Sequence, residues 1–484
     1  MAATTQTRWP ERMNPNDALF WFLDTVPELR STIGALMILA RTPSLDRLRA
    51  EFERLADGFP RMRQRAVEAP LNLAPPEWIE DPQFDLGYHL RPIAVPAPGG
   101  MLELLAELGP LYASPLDRER PLWEAYLAEG LLDGRAAVFM KFHHCMMDGV
   151  GGSEMFANLL SEEREHAPRP VPRPRRRAST AYGARLWRAL QYNVGEALGI
   201  GVAAARALAE TALHPWQALG GAPEAVRRAL GFGEELTVLR AESPLHHARS
   251  LSRQLSTFEM SLAEIDAARS RLRATNNDVV LTIVSGALHR WHTSRGADVK
   301  ELRALVPVNL RSPEDTTPGN RIALLGMSLP VGEPDPLARL RLIQERVGRV
   351  KTDRRAALYP LFARALAALP LVLAAELGRQ QTFRTNFICT NVPGPRHTCY
   401  LAGERIERIY PYAPLVGDHP VAIALYSYQD TVLVGLDVDP LAMSDLPHFK
   451  DALAESYAEV LNVARGVEAV GEGGRPGGAP HAAA

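Results

Sequence analysis

One short stretch, Lys141-Phe-His143-His144-Cys-Met-Met-Asp148-Gly149-Val-Gly-Gly152, limits the possible folds of this chain more than any other. It grows out of Ala136-Ala-Val-Phe-Met-Lys-Phe142, an alternating apolar run that reads as a strand with one face buried. Behind it comes Ser153-Glu-Met-Phe-Ala-Asn-Leu-Leu160. Its apolar residues at 155, 156, 159 and 160 read as a helix capped by Ser153. Two histidines therefore stand where a strand ends, and a loop of small residues turns the chain into a helix. Gly149, Gly151 and Gly152 admit backbone angles and close approaches that side chains would block.

The chemistry suited to this arrangement is general base catalysis. An imidazole titrates near pH 6.5, so at neutral pH much of it can take a proton from a hydroxyl or an amine. Ionised Asp148 could accept backbone N–H bonds or pair with an arginine and so hold the loop. A packed, hydrogen-bonded histidine pair is the plainer alternative. A metal site is not expected, because the chain offers no further compact His, Cys and carboxylate cluster. Cys145 adjoins His144 in sequence, where neighbouring side chains point apart, and reads as packing.

Further along, Pro121-Leu122-Trp123-Glu124, Thr275-Asn276-Asn277-Asp278-Val-Val-Leu281 and Asn391-Val-Pro393-Gly394-Pro395 stand out, as do Asn14-Pro15-Asn16-Asp17-Ala18 and Trp78–His89. His143-His144-Cys-Met-Met-Asp148-Gly149 resembles the HHxxxDG motif of the CoA-dependent acyltransferase superfamily, which includes the condensation domains of peptide synthetases. With the PLW-like, ND-like and NVPGP-like segments in order, residues 13 to 450 resemble the bacterial wax ester synthase/diacylglycerol acyltransferase family. The resemblance implies two chloramphenicol-acetyltransferase-like subdomains with a central substrate tunnel. Periodicity alone gives only a mixed α/β chain of two domains.

Length and composition bound this reading. A chain of 484 residues exceeds one ordinary core. Apolar residues at 46% and charged residues at 23% describe a globular protein, and a net charge of −2 gives no reason to expect nucleic acid. Three cysteines without framework spacing suggest a reducing compartment. No signal peptide and no apolar span of membrane length are read.

Domain boundaries follow from composition. Residues 1–166 form the first subdomain, and 167–245 a Pro- and Arg-rich linker with a helical crossover. Residues 246–465 form the second subdomain, and 466–484 a disordered tail. The window 166–195 holds seven arginines and no acidic residue, and 183–219 is rich in Ala and Leu, with arginines at 185, 188 and 206. It reads both as a crossover and as a basic amphipathic element settling on an anionic membrane or lipid droplet.

Strands are expected at 31–40, 122–129, 136–142, 254–260, 302–310, 322–331, 385–391, 421–428 and 431–437. Helices are expected at 44–55 (with Gly58 just past the end), 100–112, from Ser261-Leu-Ala-Glu264 (a capping box), 277–291, from Asp335 and at 444–463. The hairpin of 122–129 with 136–142 would deliver the histidines. Leu361–Leu377, apolar nearly all round, reads as a buried helix pair, with lining an acyl channel or docking on lipid as alternatives.

The resemblance assigns roles as follows. His144 is the base that deprotonates an acceptor hydroxyl, which attacks an acyl-CoA thioester to give an ester and free CoA. His143 reads as a structural member of the catalytic motif, and Asp148 as a loop-holder in preference to a proton relay. Asn277 is either an oxyanion donor at a helix start or an ordinary N-cap, and Asp278 completes its motif. Pro121, Leu122, Trp123, Gly149, Asn391, Pro393 and Gly394 are substrate-binding or structural, with Trp123 a core aromatic and Gly394 free to take a positive φ. Where the family often has Pro-Leu-Asn, this chain has Pro244-Leu245-His246-His247, read as linker, so no role for that Asn is carried over.

The activity implied is O-acyl transfer from acyl-CoA to diacylglycerol or a fatty alcohol, with acyl-CoA as substrate and no cofactor. It would proceed in the cytoplasm, peripherally on the inner membrane face or lipid inclusions. The alternatives are a condensation-type enzyme on carrier-bound acyl groups and a non-catalytic lipid-surface protein. Oligomeric state is not read.

Overall fold

The computed structural model describes residues 9–147, 152, 155–156, 158–165, 181–195, 198, 242–246, 249–309, 322–352, 376–377 and 384–472. The readings placed on Asp148, Gly149, the Pro/Arg-rich stretch 167–177, His247, the apolar segment 361–375 and the tail from 473 lie outside the described residues.

The first half supplies strands β1 (Thr32–Leu39), β2 (Gln64–Val67), β3 (Glu77–Glu80), β4 (Leu90–Ala94), β5 (Trp123–Glu129) and β6 (Ala136–His143). The second supplies β7 (Gln254–Ser261), β8 (Leu302–Asn309), β9 (Ile322–Leu329), β10 (Phe387–Val392), β11 (Tyr400–Leu401), β12 (Glu404–Tyr412), β13 (Val421–Tyr428) and β14 (Thr431–Val438). Among the described residues they form one sheet in the order β11-β12-β1-β6-β5-β4, another in the order β7-β14-β13-β10-β8-β9, and the pair β2-β3. The sheets do not divide at one point of the chain, because β12 leaves the second half to pair antiparallel with β1.

Strand β6 lies between β1 and β5 and all eight of its residues are buried. Its alternation had indicated a single buried face. A central strand covered on both sides loses that contrast, and Lys141 is tolerated there only by being paired.

The helices are α1 (Pro15–Leu23), α2 (Leu45–Gly58), α3 (Leu86–His89), α4 (Met101–Ala113), α5 (Leu262–Leu272), α6 (Asn276–Thr293), α7 (Pro336–Thr352) and α8 (Leu446–Glu472). Gly58 closes α2 from within, and α8 runs past both 463 and the expected start of the tail. Helix α6 packs against α5, α7 and α8. Thirteen of its eighteen residues are buried, so it is an internal helix.

One core gathers Leu36, Phe52, Trp123 and Phe139 with Tyr412 and Leu433 of the second half. The other is built around Val280, Trp291, Ile343, Phe387 and Phe449.

Residues 182–195 are helical, and three of their polar side chains bond to the 68–77 segment. Arg188 grips both Glu77 oxygens at 2.9 and 2.7 Å, and Asn193 donates to the Leu73 carbonyl at 2.7 Å. Arg185 donates to the Glu68 carbonyl. Trp187, Leu190 and Val194, spaced three and four residues apart, are 62%, 43% and 60% exposed. Arg185 and Arg188 are thus bonded to the protein itself, while an apolar stripe of the same helix faces outward. Residues 245 and 246 are not plain linker either: Leu245 is fully buried and Asn386 donates to the His246 ring at 2.9 Å.

Candidate active site

The hairpin of β5 and β6 sets Trp123 opposite Phe142 and Glu124 opposite Lys141, so the Pro121–Glu124 and Lys141–His144 segments lie side by side. The His143 amide donates to the Leu122 carbonyl at 3.0 Å, and the His144 amide to the Ser31 carbonyl at 2.8 Å. The chain then bends through one 3-10 turn, His144–Met146.

The two histidines end in different environments. His143 is 1% exposed. Its Nδ1 accepts from the Cys145 amide at 3.1 Å, and its Nε2 lies 3.1 Å from Asp24 Oδ1. A ring nitrogen that accepts carries no proton, so neutral His143 holds its proton on Nε2, toward Asp24. Burial works to raise the Asp24 carboxyl. Its interaction with the His143 ring, together with the Arg118 and Arg30 charges, outweighs this and holds the group below its ordinary value. His144 is half-buried, its ring stacked on Phe20 with centroids 4.5 Å apart and planes inclined at 23°.

The residues behind the pair are structural. Trp123 is fully buried, donates its indole N–H to the Met62 carbonyl at 2.8 Å, and stacks on Phe52 and His89. Pro121 and Leu122 are buried beside it. The fully buried Lys141 ammonium lies 3.0 Å from Glu124 and donates to the Leu111 carbonyl at 2.8 Å and the Ser114 hydroxyl at 2.9 Å. Burial lowers its pKa against the pull of Glu124. Burial also pushes the Cys145 thiol well up, which removes it as a nucleophile. Among the described residues no group of three His, Cys, Asp or Glu could hold a metal ion.

A second cluster forms where α6 begins. Its N-cap is Thr275, not Asn277. The Thr275 hydroxyl accepts from the Asp278 amide at 3.2 Å, and the Asp278 carboxylate accepts from the Thr275 amide at 2.9 Å. Asp278 is thus half of a capping box, and the alternative that Asn277 caps the helix is excluded. Asn277, in the first turn, meets the Asn391 amide at 3.5 Å. The structure so brings together the asparagines of two separate sequence motifs, one at the start of α6 and one near the end of β10.

Gly394 does not have the positive φ expected of it. Its amide donates to the Ser427 hydroxyl at 3.0 Å, and a Cβ there would sit 2.2 Å from the Ser427 carbonyl oxygen. The glycine is needed for close approach to β13. Pro393 is exposed at the same turn.

Sequence reasoning did not single out Asp24 or Phe20. Both belong to α1 or its C-terminal cap, and nothing local to them points to the histidines more than a hundred residues away. Glu124 and Lys141 were nearer to hand, since the register of the hairpin sets them opposite each other. Two open hollows of about 460 and 480 Å³ lie elsewhere, one along Asp266, Arg396 and Gln429, the other along Glu259, Arg405 and Arg408. In both, carboxylates already face the arginines, and neither is lined by His144.

The family model described as the wax ester synthase/diacylglycerol acyltransferase catalytic domain matches residues 13–280, and the WS/DGAT C-terminal domain model matches residues 318–460. A Mycobacterium tuberculosis (strain CDC 1551 / Oshkosh) protein provisionally named a diacylglycerol O-acyltransferase is 31% identical over 464 residues, spanning 95% of this chain and 93% of its own. A provisionally named diacylglycerol O-acyltransferase of strain H37Rv is 28% identical over 441 residues, 90% of this chain and 92% of its own. Among solved structures, the wax ester synthase/diacylglycerol acyltransferase from Marinobacter aquaeolei VT8 superposes with a TM-score of 0.64 at 24% identity. That match covers 94% of this chain and all of the other. The first condensation domain of the CDA synthetase gives 0.60 at 15% identity over 93% and 95% of the two chains. These structural likenesses show a common fold, with chloramphenicol-acetyltransferase-like halves.

Proposed function

The chain belongs to the wax ester synthase/diacylglycerol acyltransferase family and is an acyltransferase; from that premise we propose that it joins a long-chain acyl group from acyl-CoA to a lipid alcohol, with His144 as general base. The observation that carries this reading is the contrast between the histidines. His143 is buried, its Nδ1 accepting from the Cys145 amide and its Nε2 3.1 Å from Asp24, while His144, the next residue, is partly exposed with its ring stacked on Phe20.

In the proposed step the His144 ring takes the hydroxyl proton as the alcohol oxygen attacks the thioester carbonyl. The C–S bond then breaks, and CoA leaves with the proton as free thiol. A thioester is already activated, so no enzyme nucleophile is required. Base catalysis contributes roughly 10²–10⁴-fold, and alignment of two bound substrates about 7–11 kcal/mol. Asn277 and Asn391 are proposed as amide donors near the oxyanion or the acceptor.

The acceptor is tested by supplying palmitoyl-CoA with diacylglycerol, with hexadecanol, and with a carrier-bound amine, following thiol release and the ester formed. Release with one or both alcohols is the expected outcome. Release only with the carrier-bound substrate favours condensation chemistry, and an inert protein favours a lipid-surface role.

We further propose that the enzyme works on an anionic lipid surface on the cytoplasmic side, docked through the outward stripe of Trp187, Leu190 and Val194 with Leu71 on the neighbouring loop. The exposure of these side chains supports this, as does the Arg-rich sequence just before them. No helix of the described residues is long and apolar enough to cross a membrane. The double variant Trp187→Asp, Leu190→Asp should abolish co-flotation with phosphatidylglycerol-containing vesicles at any ionic strength. Binding that persists and falls only with salt would assign the contact to the arginines instead.

A further inference from the structure

Helix α1 reaches both histidines at once. Phe20, Trp21 and Asp24 occupy its last turn and C-terminal cap. Phe20 stacks on His144, Trp21 approaches His143 edge-on with centroids 6.3 Å apart, and the buried Asp24 carboxylate meets His143 Nε2 at 3.1 Å. The helix is itself held at both ends. Asn14 caps it by accepting from the Asp17 amide at 2.8 Å. Near its C-terminus the Trp21 indole donates to Glu68 at 3.0 Å, beneath the Arg118 guanidinium at 3.7 Å from the ring.

A carboxylate at a helix C-terminus opposes the helix dipole, and burying one costs more unless it is bonded. Asp24 bears both costs at the one position from which it reaches His143.

We infer that Asp24 and Phe20 are positioning residues for His144, acting through the first histidine and through the ring face. With its carboxylate oxygen 3.1 Å from His143 Nε2, Asp24 favours the tautomer protonated there, which leaves Nδ1 unprotonated. That lone pair receives the Cys145 amide at 3.1 Å and so sets the 3-10 turn His144–Met146 on which the base is mounted. Phe20 supplies the flat surface that orients the base's ring. The inference deepens the proposed role of His144 and rests on it, while its structural half can be read without turnover.

Two measurements decide it. In the thiol-release assay, Asp24→Ala should lower kcat by about tenfold or more with KM changed by less than about twofold, because a base displaced by an ångström loses rate rather than substrate affinity. Asp24→Asn, whose amide oxygen can still accept from Nε2–H, should restore most of that loss. Phe20→Leu, apolar but unable to stack, should lower kcat in the same sense.

Independently of activity, protein labelled with ¹⁵N-histidine should show His143 with Nε2 protonated and Nδ1 bare, identified by its absence in His143→Gln. The pattern should survive in Asp24→Asn and give way to mixed tautomers in Asp24→Ala. An unchanged tautomer in folded Asp24→Ala, or an unchanged kcat there, overturns the inference. An inert parent with the expected tautomer response would instead count against the acyl-transfer reading and leave the clamp standing.

Discussion

Glu124 answers to three partners at once: the Lys141 ammonium at 3.0 Å, the Arg91 guanidinium at 2.9 Å and the Tyr126 hydroxyl. Lys141 has no exposed surface, so its charge is tolerable only while Glu124 and the Leu111 and Ser114 oxygens surround it. Removing one partner of such a pair costs more than removing both, because it leaves a buried charge unpaired. Glu124→Ala should therefore lower unfolding free energy by about 3–5 kcal/mol, and adding Lys141→Met should recover most of it. Urea unfolding of the two variants checks this. A single variant as stable as the parent would mean that Lys141 finds other compensation. The same low polarity that makes Lys141 dependent on Glu124 pushes the neighbouring Cys145 thiol up, so adjacency to His144 does not make that thiol reactive.

At the scale of elements, what local pattern governs was legible in the sequence. The β5–β6 and β13–β14 hairpins, helix α4, and the start of α7 at Asp335-Pro336 lie close to where alternation, helical spacing and turn residues put them. The hairpin also read correctly as placing PLW beside the histidines, whereas the meeting of the ND segment with the NVPGP segment was not read. What could not be read depends on partners distant in the chain. Strand β12, ERIERIYPY, carries little alternation and a proline, and is a strand because β1 offers it an edge. Thr275 rather than Asn277 caps α6 because Asp278 lies three residues on to complete the box, a choice between adjacent good caps that propensity does not make. Ser261 caps α5, but Glu264 turns away from the box to Tyr457 of α8, which in turn accepts from the Ser261 amide. Gly394 was expected to take a positive φ, which it does not; the backbone of β13 is what excludes a side chain there. The clamp of α1 on the histidines left no local trace at all.

For the molecule as a whole, the two halves meet along a polar seam as well as an apolar one. Strand β12 crosses over to β1, and Gly435 of β14 passes so near it that a Cβ would sit 1.7 Å from the Pro411 oxygen. Beside this crossing, Arg253 pairs with fully buried Asp437 at 2.5 Å and lies over the Tyr112 ring at 4.5 Å, while the Tyr112 hydroxyl donates to the Thr32 carbonyl at 2.7 Å. Burial raises the Asp437 carboxyl to about 6, even against Arg253 and Arg249. Because the folded value lies above the ordinary one, this group's contribution is fully present below about pH 4 and is lost as pH rises through about 6. Arg253→Ala should lower stability by about 3–5 kcal/mol and raise the carboxyl further. Its Tm should then go on falling above pH 6, where the parent's is level with respect to this group. A variant with the parent's pH profile would show that Arg253 does not hold the Asp437 charge.

The account as a whole stands on one imidazole, and the most direct measurement is thiol release from palmitoyl-CoA by His144→Ala and the parent, with the best lipid alcohol as acceptor. The predicted result is a loss of about 10²-fold or more in kcat, with the thermal transition unchanged. Equal turnover by the two proteins would contradict it.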